Sequence, residues 1–454
     1  MEEPQQVQAD EEHERVHERV GAVDVAKASG VVCTRVPDED RPGRRRTHVW
    51  TVAATVPAVT ELGDHLRGRQ VQVVTLESTS DYWRIWWVVL KAAGLKVQLV
   101  NARAVRNVPG RAKTDKKDAV WLAKLTERGL LQPSFVPEPE IARLREFTRL
   151  RAELVHERSR YWARLEKLLE RALIKISAVA STLDTDSCRA MIEALIAGQR
   201  NPEILAGLAL GRMRPKRAAL AEALDGKFED HHGELARLLL DQIDALTAKI
   251  DQLSDRVTEL ISQIPAAWGV DADGSTGPGA GTGPDAVIVP AVARLDEITG
   301  CGITAAQAVI AEIGLDMTVF GTPARLVSWA RRCPQTRQSG RKTTAGKAGK
   351  GNRYLNGILG EIAASAARTD TFLGERYRRI ARRRGKRKAL AAIARSILVI
   401  IYHLLADPEA RFCDLGPDWY DRYIDKQRKT RNLIRQLEAL GHAVTLTPAG
   451  AAAA

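Results

Sequence analysis

Cysteine is scarce in this sequence, and the few cysteines lie far apart. There are five in 454 residues: Cys33, Cys188, Cys301, Cys333 and Cys413. No two of them have the short spacing of a zinc site, and an odd number argues against a disulfide framework. The sequence therefore predicts a reducing, cytoplasmic setting.

The sequence also shows no pattern typical of a secretory leader or a membrane span. Residues 1–20 are acidic and polar, whereas a leader begins with basic residues followed by an apolar stretch. One apolar segment, Ala389 to Ala406, invites a membrane interpretation. Arg395 and His403 interrupt it, and it barely reaches spanning length. We interpret it as a buried helix of a soluble protein, without a membrane partner.

Acidic residues are scarce between Arg331 and Lys388. That segment holds 18 lysine and arginine residues against 3 aspartate and glutamate residues, a net charge of +15. Since the whole chain carries +13, the remainder sums to −2. A basic charge concentrated in this way is expected of a surface that binds the phosphate backbone of nucleic acid. The alternative is a solvated basic face with no ligand.

Length and composition, with 44% hydrophobic and 28% charged residues, favour a soluble protein of two or three domains. Residues 1–18 are highly charged without an apolar period, so they are predicted to be disordered. Runs of β-branched and apolar residues follow, and helices alternate with them further on. This pattern predicts an α/β domain over residues 19–138, with an antiparallel edge to its sheet. The predicted strands are 20–26, 31–35, 48–54, 71–76 and 97–100, and the predicted helices are 57–66 and 82–93.

The pattern becomes helical over residues 139–266. Apolar residues recur three and four apart in two stretches, 141–176 and 239–264. This spacing predicts two long helices that pair as a coiled coil or as a hairpin, although an ordinary helical bundle fits it equally well. We interpret the region as a spacer or an oligomerisation arm. The remaining segments are predicted to be a Gly/Pro-rich linker (267–289), a mostly helical domain (290–410) and a C-terminal tail (411–454).

Four acidic residues form the first group of candidate site residues. Asp24 interrupts an otherwise apolar strand, where a carboxylate is costly unless something compensates it. Glu77 ends the fourth predicted strand, and Asp115 and Asp118 share one face at the start of a helix. The three places can converge at one edge of a sheet, where the carboxylates would repel one another unless a hard cation neutralised them. Mg²⁺ prefers oxygen ligands, and two such ions can stabilise the attacking and leaving oxygens of phosphoryl transfer.

Each of these carboxylates also has a plainer interpretation. Asp115 could cap its helix, and Asp118 could be a solvated acid of the first turn. Glu77 could cap the helix predicted at 82–93. Asp24 is the hardest to explain in this way, because it lies inside a core strand.

The second group of candidates lies in the C-terminal domain. Gly300 and Gly302 form a turn between two predicted helices that resembles a helix-hairpin-helix, whose exposed backbone N–H groups can hold a phosphate. Further on, Ser339 and Gly340 stand among cations that could bind a scissile phosphate and help the hydroxyl act as a nucleophile. Alternatively, this is a plain phosphate-binding loop in which Ser339 only donates a hydrogen bond, since the local sequence offers no obvious base. The cations are Arg337, Arg341, Lys342, Lys347, Lys350 and Arg353.

The acidic motifs resemble those of a known family. The runs GAVDVAK, LESTSDYW and LVNARAVRNVPGRAKTDKKDAVWLAKL are similar to the N-terminal domain of the insertion-sequence-110 family of transposases. The resemblance implies a ribonuclease-H-like fold similar to the RuvC junction nuclease. It also implies a metal-binding Asp-Glu-Asp-Asp tetrad, which falls on Asp24, Glu77, Asp115 and Asp118.

The segment around Ser339 resembles the C-terminal transposase domain of the same family. In that domain a nucleophilic serine lies in a Ser-Gly motif after a proline-containing loop, and Ser339-Gly340 matches it. Many relatives carry an Ala-Gly-Leu-x-Pro-like run before the serine, whereas residues 330–334 here read ARRCP. This departure lies upstream of the nucleophile, so it bears on DNA contacts more than on the chemistry.

The resemblance implies a recombinase that cuts and rejoins donor and target DNA through a phosphoserine link. It further implies a two-ion Mg²⁺ site, assembly as a homodimer or tetramer, and guidance by a noncoding bridge RNA. Two other functions fit the residues. One is a metal-dependent endonuclease that cuts junctions without serine chemistry, and the other is a noncatalytic nucleic-acid-binding protein.

Overall fold

The protein is described by a computed structural model as two compact units, Met1–Val136 and Pro137–Ala454. The described residues are 16–41, 43–101, 114–268, 289–333, 336–340, 342–345, 349, 351–422 and 426–446, of which 336–339, 342–345, 421 and 426–429 are described by their backbone alone. Most of the segments predicted as a disordered N-terminus and as a linker lie outside these ranges.

The first unit is built on a five-stranded sheet. Its strands are β1 (Val20–Val25), β2 (Ser29–Pro37), β3 (Arg45–Ala53), β4 (Val73–Ser78) and β5 (Val97–Asn101). Their order across the sheet is β3-β2-β1-β4-β5. The first three strands are antiparallel neighbours, while β4 runs parallel to both β1 and β5. The sheet therefore has the antiparallel edge that the sequence predicts.

Helices cover both faces of this sheet. On one face lie α1 (Val56–Gly68) and α2 (Arg84–Ala92). Both helices pack in the larger of the unit's two apolar clusters, to which α2 contributes the fully buried Trp86. On the other face lies α3 (Asp115–Glu127), which buries Leu122 in the smaller cluster. Because both faces are covered, β1 and β4 are apolar along most of their length, and a polar residue in either strand needs a separate explanation.

The third strand is longer than its sequence pattern predicts. β3 begins at Arg45 and pairs with β2 as far as Pro37, whereas the pattern places its start near His48. Because β3 is an edge strand, its first residues include the exposed Arg46 and His48. Polar side chains on an exposed edge carry no apolar alternation, so the sequence pattern does not reveal them.

The second unit is mostly helical in its described residues. Its elements are α4 (Pro139–Arg171), α5 (Ile176–Val179), α6 (Asp186–Ile196), α7 (Pro202–Gly207), α8 (Arg217–Leu224), α9 (Asp230–Ser262), α10 (Ala291–Asp296), α11 (Ile303–Ile313), α12 (Pro323–Trp329), β6 (Thr336–Ser339), β7 (Lys342–Ala345), α13 (Arg353–Ala366), α14 (Phe372–Arg384), α15 (Lys386–Ala406), α16 (Trp419–Arg422) and α17 (Lys426–Ala439). The segment predicted as a tail thus contains α16 and α17.

The two long helices α4 and α9 pack against each other in antiparallel orientation. Arg151 of α4 donates to Ser254 of α9 at 3.5 Å, and Arg158 donates to Thr247 at 3.2 Å. As the residue number rises in α4, it falls in α9, so the pair is a hairpin within one chain. Burial lowers the pKa of Arg151, which also donates to Gln307 of α11 at 3.0 Å. The seam is therefore polar in places, unlike a seam of apolar residues alone.

Between α4 and α9 the chain forms a cluster of short helices, α5 to α8. Its core contains the fully buried Ile176 and Met191 together with Leu165 of α4 and Leu240 of α9. The sequence pattern predicts a plain helical arm here. The difference arises because helices of one to three turns are too short to establish a clear apolar period.

The last part of the second unit surrounds α15, the apolar segment noted in the sequence. By its length and composition alone, α15 is long and apolar enough to cross a membrane. In the fold, Ile397, Leu398 and Ile401 are fully buried, and α15 contacts α12, α13 and α14. These contacts agree with the interpretation of α15 as a core helix.

A buried carboxylate joins α4, α11 and the start of α13. Glu312 of α11 is 1% exposed and accepts two hydrogen bonds from Arg149 of α4, each at 2.8 Å. Arg145 donates to the backbone carbonyl of Glu312 at 2.9 Å. Asn352, whose side chain caps α13, also donates to the Glu312 carboxylate. The long helix is therefore held to the last domain by charge-assisted hydrogen bonds.

Thiol reactivity should divide the five cysteines into two groups. Burial raises the pKa of Cys33 and of Cys301 to about 12, so only about 10⁻⁵ of either thiol is ionised at neutral pH. Burial also raises the pKa of Cys188, whereas Cys413 is exposed and Cys333 is half-buried. We expect an aromatic disulfide reagent to modify only the latter two in the native protein. Rapid modification of all five without denaturant would contradict this burial.

Candidate active site

Two of the predicted acidic residues lie side by side on neighbouring parallel strands. The register of β1 and β4 pairs Val23 with Leu76, so the next step along both strands brings Asp24 beside Glu77. Neighbouring strands are about 4.8 Å apart, a spacing that lets two carboxylates reach one cation. Asp24 is half-buried, and Glu77 is 6% exposed.

Both residues belong to the face of the sheet that α3 covers. Side chains alternate between faces along a strand, so residues two apart share a face. Thr75, two residues before Glu77, shares a hydrogen bond with Thr126 of α3 at 2.7 Å. Ala22, two residues before Asp24, packs in the same cluster as the buried side of α3. The two carboxylates are therefore on the α3 side of the sheet.

The direction of α3 brings its first turn toward the same strand ends. At the other end of the helix, Glu127 pairs with Arg35 at 2.8 Å, and Arg35 lies opposite Val20 at the start of β1. From Glu127 back to Asp118 the helix spans about 13 Å. From Val20 to Asp24 the strand advances about the same distance, 13 Å. The first turn of α3 is thus directed to the level of Asp24.

The plainer interpretation of Asp115 as a helix cap is wrong. Thr114 caps α3, because its hydroxyl accepts a hydrogen bond from the backbone N–H of Lys117 at 3.3 Å. Asp115 is the first residue of the helix and is exposed, while Asp118 is half-buried. The N-cap residue of α2 is Trp83, whose side chain makes no capping hydrogen bond.

The donor set at this edge fits a hard divalent cation, since all four candidates are carboxylates. In the described part of the chain, these carboxylates do not form a group of three ligand atoms within 4.8 Å of one another. Ligation by three or more of them therefore requires rotation about side-chain torsions. Of the four, Glu77 is the most deeply buried, and Asp24 is its neighbour in the register.

Ser339 is the last residue of β6 in a short two-stranded hairpin. It pairs with Lys342 of β7 across Gly340 and residue 341. Gly340 is exposed and has φ +57°, in the left-handed region that favours glycine. The sequence pattern indicates a loop here, because the strands TRQS and KTTA are polar and lack alternation. The structure instead places Ser339 at the edge of a tight turn.

Of the predicted basic residues around Ser339, Arg353 is the one whose side chain the structure describes. Arg353 is exposed and pairs with Glu153 of α4 at 2.9 Å. Its charge is therefore partly compensated within the chain. The side chains of Arg337, Arg341, Lys342, Lys347 and Lys350 lie outside the described residues.

The two glycines of the predicted helix-hairpin-helix have different surroundings. Gly300 has φ +85°, and a Cβ there would come within 2.7 Å of the backbone nitrogen of Ala366. Glycine at this position thus allows the turn between α10 and α11 to pack against the end of α13. Gly302 is exposed at the start of α11, and a Cβ there would meet nothing within 4 Å. Gly302 is accordingly the one that a phosphate could approach.

A separate group of potential metal ligands lies at the start of α9. Atoms of Glu229, His231 and His232 lie within 4.8 Å of one another. The backbone N–H of Glu229 donates to Nδ1 of His232 at 3.1 Å, so that ring lone pair is already used. Burial lowers the pKa of His232, which favours the neutral ring that this bond requires. We interpret the group as a helix cap.

Two family profiles match parts of the chain. A family profile described as transposase, for the DEDD domain of the IS110 group, matches residues 21–174. A second profile, described as transposase IS116/IS110/IS902 family, matches residues 292–378. Among solved structures, Thermus thermophilus RuvC is similar at 11% identity and a TM-score of 0.21, over 25% of this chain and 99% of that chain. The comparison with curated proteins gives no match.

The sheet order and the first profile fit a ribonuclease-H-like N-terminal domain, and the second profile matches residues 292–378 within the mostly helical second unit. The protein is thus a DNA-cutting transposase. It belongs to the IS116/IS110/IS902 family of insertion-sequence transposases, which confirms the family resemblance of its motifs.

Proposed function

We propose that this transposase cuts and rejoins DNA through a phosphoserine intermediate on Ser339, assisted by Mg²⁺ at a carboxylate site. The observation that carries the proposal is the register that puts Asp24 beside Glu77 on the face covered by α3. Acidic side chains gathered at one sheet edge suit a hard divalent cation better than a structural role. The proposed ligands are Asp24, Glu77, Asp115 and Asp118.

The carboxylates would act by holding positive charge close to the DNA phosphate. Bound Mg²⁺ supplies Lewis-acid stabilisation of charge on phosphate oxygens. Glu77, being buried, offers an anchored ligand, and Asp24 offers a neighbouring one that is partly open to solvent. The first turn of α3 would bring the other two carboxylates toward the same place.

The serine step is a transesterification at phosphorus. The Oγ of Ser339 forms a bond to phosphorus, the bond from phosphorus to one deoxyribose oxygen breaks, and that oxygen takes a proton to become a free hydroxyl. The serine proton passes to solvent. Rejoining reverses the exchange, because a hydroxyl of the incoming strand attacks the phosphoserine and releases Ser339. One phosphodiester replaces another, so no external energy source is needed.

The proposal extends to partners that the family resemblance implies. These are donor and target DNA, a noncoding guide RNA and further copies of the same chain in a dimer or tetramer. The basic segment from residue 331 to residue 388, with its net charge of +15, supports binding to a phosphate backbone. Size-exclusion chromatography with light scattering measures the number of chains in the assembly. The measurement is made with and without the RNA transcribed from the noncoding regions that flank the gene.

The replacement Ser339→Ala tests the chemistry. It should lower the yield of covalent protein–DNA adduct, trapped by denaturation during strand exchange, by about 10³-fold or more, because the nucleophile is gone. Binding of the same DNA should be unchanged. The matched control is Ser328→Ala, which removes an exposed serine of α12 and should leave adduct formation intact.

The same variant separates the alternatives. A metal-dependent junction endonuclease would cut DNA equally well with or without the Ser339 hydroxyl, so unchanged cleavage overturns the serine proposal. A noncatalytic binder would form no adduct even as wild type and would show only salt-sensitive binding.

A further inference from the structure

A second concentration of positive charge lies where α14 meets α15. Residues Arg382 to Lys388 are all exposed, and six of these seven residues are arginine or lysine. The seventh, Gly385, separates the two helices. We call these seven residues the basic corner. It lies 43 positions beyond Ser339 in the sequence and includes none of the cations considered for the serine site.

Among the residues that the structure describes, the positive charges of the basic corner have no partner. Earlier arginines of α14 are engaged: Arg378 pairs with Glu375 at 2.9 Å, and Arg376 donates to the hydroxyl of Tyr420 at 2.8 Å. By contrast, the six cations of the basic corner form no ion pair or hydrogen bond through their side chains with any residue that the structure describes. Their charges face solvent.

Helix stability does not explain this arrangement. Arg382, Arg383 and Arg384 in the last turn of α14 are favourably placed, because cations stabilise the C-terminal end of a helix. The first turn of α15 begins with Lys386 and has no acidic residue. Cations at that end oppose the helix dipole, and they also repel the arginines of α14. The basic corner therefore costs stability that an anionic ligand would restore.

The surface chemistry identifies the ligand class. From Arg382 to Lys388 there is no apolar or aromatic side chain. A stably bound membrane-surface site combines cations with apolar residues, a protein interface is typically built on apolar or aromatic anchors, and a single-strand site typically has aromatic rings for stacking. Closely spaced cations alone match a duplex backbone, which carries one charge per about 1.7 Å of its axis.

We propose that the basic corner binds the phosphate backbone of duplex DNA, independently of base sequence, through cations other than those considered for the site around Ser339. The inference rests on the proposed function only in taking DNA as the substrate. Its role is to hold the duplex while the reacting phosphate is engaged elsewhere. A contact of this kind adds affinity and salt dependence without adding sequence preference.

The test is duplex binding by the full-length chain carrying Arg383→Gln, Lys386→Gln and Lys388→Gln together. Fluorescence anisotropy with a labelled duplex of arbitrary sequence is measured over a range of salt concentrations. We expect binding about tenfold weaker or more at low salt, and a salt slope smaller by about 2 to 3, since each lost phosphate contact removes about 0.9. Thermal stability should stay close to that of the wild type, because removing Lys386 and Lys388 from the first turn of α15 is favourable, whereas removing Arg383 from the last turn of α14 is not.

The matched control removes three other exposed cations, with Arg212→Gln, Arg214→Gln and Lys249→Gln. It lowers the net charge equally and should leave the salt slope close to that of wild type. Equal slopes for the two triple variants overturn the proposal. So does a result in which duplex RNA binding falls and duplex DNA binding does not. The adduct assay on Ser339→Ala is independent, so failure of this proposal is distinguishable from failure of the proposed function.

Discussion

Replacing Glu77 by glutamine is expected to lower Mg²⁺-dependent DNA cleavage by about 10³-fold or more while the fold stays intact. A catalytic metal ion supplies several kcal/mol of transition-state stabilisation, and each 1.4 kcal/mol or so is a factor of ten in rate. Glu77 is 6% exposed and lies next to Asp24 in the register. Because its position is buried, a carboxylate on the protein surface cannot replace it as a metal ligand. Glutamine keeps the size of the side chain but not its charge.

A binding measurement separates loss of the ion from loss of the chemistry. An ion that binds only the folded state stabilises it by about 2.7 kcal/mol at a concentration of 100 Kd. The melting temperature of the wild type should therefore rise with added Mg²⁺ or Mn²⁺, and that of Glu77→Gln should rise less.

The control for this variant is Glu61→Gln. It makes the same chemical change at an exposed position of α1, a helix that covers the opposite face of the sheet. Cleavage and metal response should match those of the wild type. If Glu77→Gln behaves like this control in both measurements, the carboxylate site is not where we propose it.

Replacing Arg149 by methionine is expected to destabilise the second unit by about 3–5 kcal/mol. The substitution keeps an apolar stem but leaves the carboxylate of Glu312, which is 1% exposed, without its bidentate partner. Asn352 and Arg145 remain nearby, yet Arg145 approaches the carboxylate only to 3.6 Å. The free energy of unfolding, measured in urea, gives the effect directly.

Replacing the carboxylate partner, Glu312, should lower the free energy of unfolding by less. Glu312→Gln leaves Arg149, whose side chain is 33% exposed and can turn toward water, so we expect about 1–3 kcal/mol. In the double variant the neutral glutamine no longer requires a cation, so the combined loss should be smaller than the sum of the two.

A surface pair provides the comparison for this prediction. Arg160 and Glu157 are 3.0 Å apart, with side chains 69% and 39% exposed. Arg160→Met should therefore change stability by about 0–1 kcal/mol. A larger loss of stability for Glu312→Gln than for Arg149→Met would contradict this prediction. It would mean that the loss does not come mainly from leaving a buried carboxylate without its partner.

In the first unit, most of the secondary structure could be predicted from local sequence patterns. Runs of apolar and β-branched residues located all five strands, and the succession of strands and helices indicated an α/β sheet with an antiparallel edge. Asp24 was conspicuous for a physical reason, since a charge inside an apolar strand must be compensated. The pattern could not show that Thr114 caps α3, because Thr114 and Asp115 are both good capping residues.

The second unit was harder to predict because its important contacts are between residues far apart in sequence. Glu312 lies one residue before the end of a largely apolar run, ITAAQAVIAEI, and nothing in that run indicates that Arg149 will bind it. The hairpin that carries Ser339 is polar on both strands, so its pairing also lacks a local pattern. Such contacts depend on which surfaces meet after the helices pack.

The sequence by itself determined the kinds of elements and the identity of the chemical groups, because apolar period and side-chain chemistry are properties of short stretches. The motifs around Asp24, Glu77, Asp115 and Ser339 indicated the transposase family. Only the tertiary structure decided which groups become neighbours: Asp24 beside Glu77, and α4 antiparallel to α9. Strand register and helix packing decide this, because they bring together residues that the chain itself keeps far apart.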